Sequence, residues 1–117
     1  MRHDERLAKL WDSLANWSRA TFGADTERGP VGPLKHLAKE AQEAIASPGD
    51  ASEYADCFIL VCDAARRSGM SLDQLLQAVA DKLEINRQRH WPAPVADQAI
   101  EHLKDEARDE LPREPER

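Results

Sequence analysis

Apolar residues return every three or four positions along most of the chain, the spacing of a helix face rather than the alternation of a strand. Leu7, Leu10, Trp11, Leu14 and Trp17 form the first stripe and predict a helix from about Asp4 to Ala20, ending before Phe22-Gly23. Gly29, Pro30, Gly32 and Pro33 punctuate the stretch from Ala24 to Pro33, which reads as a loop long enough to serve as a flap over a site. Leu34, Leu37, Ala38, Ala41 and Ile45 then predict a second helix from about Leu34 to Ala46, stopped by Ser47-Pro48-Gly49-Asp50. A third helix, from about Ser52 to Arg67, carries Ala55, Phe58, Ile59 and Cys62 on its inward side. The turn between the second and third is short, so they should lie antiparallel. Gly69 suits a helix C-terminus, and Ser71 with Gln74 resembles a capping box opening a fourth helix. Its stripe is Leu72, Leu76, Val79 and Leu83. It reaches about Arg89, before Trp91-Pro92-Ala93-Pro94 halts it.

These elements predict an all-α, four-helix bundle over residues 1–95. Residues 96–117 have room for one short helix through Ile100 and Leu103, then become charged and proline-punctuated, and the last ten or so read as a frayed tail.

Length limits the core. A domain of 117 residues buries only about two-thirds of the surface its unfolded chain exposes, so self-association is expected to complete the burial. The formal net charge of -6, from 22 acidic and 16 basic residues, argues against a nucleic-acid polymer as partner. A free nucleotide arriving with its metal is compatible, because a divalent ion inverts the local electrostatics. Cys57 and Cys62 fall on different helix faces within an apolar run and read as reduced thiols, not a bridge. No apolar stretch has the length of a membrane span and no signal peptide precedes the first helix, which makes the cytoplasm the expected location.

The chemistry is carried by carboxylates. Glu40 and Glu43 lie three apart on the second helix, and Glu53 and Asp56 three apart on the third, so each pair shares one helix surface. Antiparallel packing lets the two pairs face each other. Four converging carboxylates repel unless a cation neutralises them, and hard divalent ions such as Mg2+ favour such oxygen-rich surroundings. The expectation is two Mg2+ ions per site, with Mn2+ able to substitute. His36 falls in the same sector as Glu40 and Glu43 and suits a supporting or substrate-touching role better than direct ligation. Lys82, Asn86 and Arg89, at spacings of four and three, suit an anionic phosphate tail and a polar sugar or base edge. Trp91 follows directly and could stack on a base or pack at an interface.

Glu40-x-x-Glu43, nine residues, then Glu53-x-x-Asp56 resembles the metal-binding signature of the all-α nucleoside triphosphate pyrophosphohydrolases, the MazG-like superfamily. Lys82-x-x-x-Asn86-x-x-Arg89 resembles its downstream element. Phe22-Gly23, the run Gly32 to Glu40, the run Glu53 to Leu60, and Lys82 to Asn86 leading into Trp91-Pro92 are most similar to the dATP/dGTP diphosphohydrolase subgroup, some of whose members are phage enzymes. That resemblance implies Glu40, Glu43, Glu53 and Asp56 as metal ligands, and Lys82, Asn86 and more weakly Arg89 as nucleotide contacts; Glu40 or Glu43 could in addition accept the proton of the attacking water. It implies hydrolysis of a purine deoxynucleoside triphosphate, dGTP or dATP, to the monophosphate and pyrophosphate, by a homo-oligomer in which a tetramer is favoured over a dimer. For a phage enzyme the place of work would be the host cytoplasm. Two rival readings predict different behaviour. A non-catalytic helical interaction protein would show dispersed carboxylates and no metal dependence, and a nucleotidase would release inorganic phosphate.

Overall fold

The computed structural model describes residues 2–103. The predicted tail beyond them lies outside the described residues. Four helices form: α1 (His3–Phe22), α2 (Val31–Ala46), α3 (Ala51–Arg67) and α4 (Leu72–Gln88). Among the described residues the only β pairing is an isolated bridge between His90 and Leu103. The all-α reading holds.

Local chemistry explains the boundaries. α2 begins at Val31, earlier than the apolar spacing suggested, because Pro33 in a first turn gives up only an N–H that would have had no helical partner. α3 is capped by Asp50, whose carboxylate accepts the Ser52 amide at 2.9 Å and the Ser52 hydroxyl at 2.7 Å. It ends in a Schellman turn: Gly69 takes φ +98°, its N–H donates to the Arg66 carbonyl, and the Met70 N–H donates to the Ala65 carbonyl. The Ser71/Gln74 capping box forms in both directions, at 2.8 and 3.1 Å. The helix expected through Ile100 and Leu103 does not form, and 99–103 have no regular structure apart from the bridge. A short segment following Pro92 and Pro94 does not sustain a helix without packing support.

Contacts group the chain into two compact units, 1–76 and 77–117. In the first, α2 and α3 form a helical hairpin. Its turn is closed by the Asp50 N–H to the Ser47 carbonyl at 3.0 Å and by the Tyr54 hydroxyl to the Pro48 carbonyl at 2.8 Å. α1 packs on α3, and the small residues Ala15 and Ser18 of α1 and Cys62, Ala64 and Ala65 of α3 are buried. Their size lets the helices close, and what they enclose is a charged centre. Asp63 accepts from Ser18 Oγ at 2.6 Å, from Arg66 Nη2 at 2.8 Å and from Arg67 Nε at 3.3 Å. The Arg67 side chain is fully buried. In the second unit, the Trp91 ring meets His102 edge-on at 5.7 Å, and the Leu103 N–H donates to the His90 carbonyl.

The expected inward stripes are only partly inward. Leu10, Trp17, Leu34, Ile45, Phe58, Val79 and Leu83 are half exposed or more in the single chain. An apolar groove of about 460 Å³ runs between α1 and α3, with Leu7, Leu10, Leu14 and Trp17 on one wall and Phe58 and Ile59 on the other. Cys57 and Cys62 are both free thiols. Among the described residues no helix is long and apolar enough to cross a membrane.

Burial pushes the Asp63 carboxyl up, but hydrogen bonds from Ser18, Arg66 and Arg67 and the charge of Arg66 more than offset it and hold the group below its ordinary value. A carboxyl depressed in the folded state stabilises the fold above its unfolded pKa of about 4 and loses that contribution as pH falls through the folded value. Asp63→Asn leaves two buried guanidinium groups short of their counter-charge. The expected loss in urea unfolding at neutral pH is about 3–5 kcal/mol. The gap from wild type should narrow below about pH 4, where wild type loses the same contribution.

Candidate metal centre

The hairpin delivers the carboxylates. Glu40 and Glu43 stand on one face of α2, and Glu53 stands in the first turn of α3, where a negative charge also suits the helix dipole. One carboxylate oxygen from each of Glu40, Glu43 and Glu53 lies within 4.8 Å of the others. Asp56 is not part of that convergent set, although its charge acts on both Glu43 and Glu53.

Two observations show that no protein group neutralises this cluster. Glu40 Oε2 and Glu53 Oε2 are buried and have no hydrogen-bond partner. Among the described residues no lysine or arginine pairs with any of the four carboxylates. The remaining oxygen of Glu40 is held by His36 Nε2 at 2.9 Å, one turn earlier on α2. His36 therefore orients a carboxylate of the cluster.

The electrostatics agree. The Glu43 carboxyl is raised above its ordinary value, first by sharing a hydrogen bond with Glu40, then by the charge of Glu40, with smaller pushes from desolvation, Glu53 and Asp56. Glu53 is raised as well, first by burial and then by the charges of Asp50, Glu40 and Asp56, against a hydrogen bond with Glu43 that lowers it. Buried, unpaired oxygens of several carboxylates fit a hard divalent cation.

In the second unit, Lys82 and Asn86 lie one turn apart on α4, and Arg89 follows the helix end. Arg89 Nη1 donates to Asn86 Oδ1 at 3.1 Å, and the Trp91 indole N–H donates to the Asn86 carbonyl at 2.8 Å. Asn86, Arg89 and Trp91 thus form one local group, and Lys82 is exposed and free of ion pairs among the described residues.

The connection expected to be a flap is tied down instead. Arg66 Nη1 lies 2.7 Å from both oxygens of Asp25, and Arg19 Nε reaches Asp25 at 3.1 Å. Arg67 donates to the carbonyls of Arg28 at 2.9 Å and Gly23 at 3.2 Å. Sequence reasoning missed this cluster. Its only signal was Asp63-x-x-Arg66-Arg67, charge placed directly after the apolar run Phe58–Cys62.

Residues 10–109 match the family of dATP/dGTP pyrophosphohydrolases. The chain is 47% identical over 100 residues to the Eaa protein of Salmonella phage P22, covering 86% of this chain and 31% of that protein, so it spans about a third of that relative's length. Among solved structures it resembles the cyanophage S-2L MazG-like pyrophosphohydrolase bound to dGDP and three catalytic Mn2+ ions per active site. That match has 34% identity and a TM-score of 0.64, and covers 83% of this chain and 96% of the other. The superposition shows the MazG-like all-α fold. It also corrects the expectation of two ions per site, since the cyanophage enzyme holds three. Four carboxylates do not cap the ion count, because each has two oxygens and a bound nucleotide brings phosphate oxygens of its own.

Glu43 and Glu53 are raised and stay protonated to higher pH than ordinary glutamates, so protons would compete with a metal held by these carboxylates. Mn2+ affinity, followed by electron paramagnetic resonance of the free ion, should therefore weaken as pH is lowered from about 7 to 5. Glu53→Gln should lose most of the binding at both values; retained affinity in that variant would place the metal elsewhere.

Proposed function

The chain belongs to the dATP/dGTP pyrophosphohydrolase family, and from that premise we propose that it hydrolyses a purine deoxynucleoside triphosphate to the monophosphate and pyrophosphate. The observation that carries this reading is the convergence of Glu40, Glu43 and Glu53 around two buried, unpartnered carboxylate oxygens. dGTP is favoured ahead of dATP, a preference supported by the dGDP held by the cyanophage relative.

Glu40, Glu43, Glu53 and Asp56 would hold Mg2+ or Mn2+. The ions supply charge neutralisation at the phosphates and a water activated for attack. His36, hydrogen-bonded to Glu40 Oε1, fixes that carboxylate and leaves Oε2 free as a donor. Glu43 is the more exposed of the two α2 glutamates, which leaves its carboxylate open to accept the proton released by water. Lys82 and Asn86 are assigned to the phosphate tail, Arg89 supports them through its bond to Asn86, and Trp91 braces the helix end.

The product assay is decisive. With Mg2+ or Mn2+, wild type should convert dGTP and dATP to monophosphate and pyrophosphate. Loss of groups that only support a metal ligand costs about 10–100-fold, so Glu43→Ala, which removes a ligand, should cost more than about a hundredfold in kcat/KM. Release of inorganic phosphate would turn the assignment to a nucleotidase, and no turnover by folded protein would favour the interaction-protein reading.

A homo-oligomer, tetramer ahead of dimer, is part of the proposal. The half-exposed apolar residues of all four helices and the apolar α1/α3 groove support it. Sedimentation equilibrium should give about four times the 13.1 kDa chain mass; a stable monomer would contradict it. The two phage relatives support action on the deoxynucleotide pool of an infected cell's cytoplasm.

A further inference from the structure

α2 is a rod that must present Glu40 and Glu43 to Glu53 in one register. Its C-terminal end is fixed to α3 by the four-residue turn Ser47–Asp50. Its N-terminal end, about 14 Å from Glu40 at a rise of 1.5 Å per residue, continues from the connection 23–30. A rod fixed at one end can still swing or roll. Mutual repulsion among the carboxylates pushes it to do so.

The last turn of α3 grips that connection at three points. Arg67 takes the Gly23 carbonyl just after α1 and the Arg28 carbonyl just before α2, and Arg66 takes both oxygens of Asp25 between them. Both guanidinium groups are anchored to Asp63, and Arg67 also to Ser18 of α1. The grip extends onto α2 itself. Arg28 lies over the Phe22 ring at 5.2 Å, and its Nη2 sits 2.7 Å from where a Cβ on Gly32 would be, so the missing side chain at Gly32 makes its seat. α3 therefore holds α2 at both ends.

We propose that Arg66 and Arg67, with Asp25 and Asp63, are positioning residues: they clamp the α1–α2 connection and so fix the register in which α2 presents Glu40 and Glu43 to the α3 carboxylates. None of the four needs to touch metal or nucleotide. The inference rests on the metal-centre reading above. A shift of about 1 Å in a reacting or ligating group is enough to cost two orders of magnitude, so a clamp at one end of α2 has leverage on chemistry farther along it.

The test is Mn2+ affinity of the full chain, by calorimetry, with the folded fraction checked by far-ultraviolet circular dichroism. Asp25→Ala removes a partly exposed member and should fold; Arg67→Lys keeps the charge but cannot reach both carbonyls. Ala64→Gly, on α3 but outside the clamp, is the control for general loss of stability. Fully folded Asp25→Ala and Arg67→Lys should bind Mn2+ about ten- to a hundredfold more weakly than wild type, the range seen when groups supporting metal ligands are lost. Ala64→Gly should keep wild-type affinity. If Arg67→Lys does not fold, Asp25→Ala alone decides. Wild-type affinity in Asp25→Ala, or an equal loss in Ala64→Gly, would overturn the clamp while leaving the metal centre standing. Absence of Mn2+ binding by wild type would sink the metal centre itself, and the clamp with it.

Discussion

Carboxylates that face each other without a counter-charge set the terms for this fold. Glu40, Glu43 and Glu53 are brought within 4.8 Å by the α2–α3 hairpin, and two of their oxygens are buried with nothing to bond. Such an arrangement costs stability unless a cation offsets it, and something else must help hold the helices together. The other end of α3 supplies it, together with α1 and the 23–30 connection. There, the buried Asp63 and the partly exposed Asp25 balance the buried Arg66 and Arg67 in a bonded cluster. One end of α3 is charged and open to a cation, and the other is charged and closed.

The helix dipole reinforces this division. Asp50 and Glu53 stand at the N-terminus of α3, and Arg66 and Arg67 in its last turn, each on the side its charge favours. The dipole lowers the cost of a charged Glu53 at the α3 N-terminus, whereas Glu43, in the last turn of α2, gains nothing from its own helix.

Much of this was legible in the sequence. Three-four apolar spacing located all four helices, and Asp50, Gly69 and the Ser71/Gln74 pair marked their ends, because capping chemistry is local and needs no tertiary knowledge. Glu40/Glu43 and Glu53 could be brought together on paper because a tight turn leaves an antiparallel hairpin little freedom. The helix expected at Ile100–Leu103 failed for the opposite reason: a short segment needs packing to propagate, and nothing local supplies it. The charged centre was hidden because Arg66 and Arg67 look like ordinary solvated residues at a helix C-terminus. Only α1, the 23–30 connection and α3 together reveal that they are buried. The apolar stripes were read correctly as helical but too readily as inward. Small residues at the α1–α3 contact took the core, and Leu10, Trp17 and Phe58 stayed at its flanks.

The most direct test of the account is anomalous diffraction from crystals of the full chain grown with Mn2+. The account predicts peaks between α2 and α3, about 2–2.3 Å from oxygens of Glu40, Glu43 and Glu53, with Glu40 still held by His36. Mn2+ bound only elsewhere, with these three carboxylates left without metal, would contradict it.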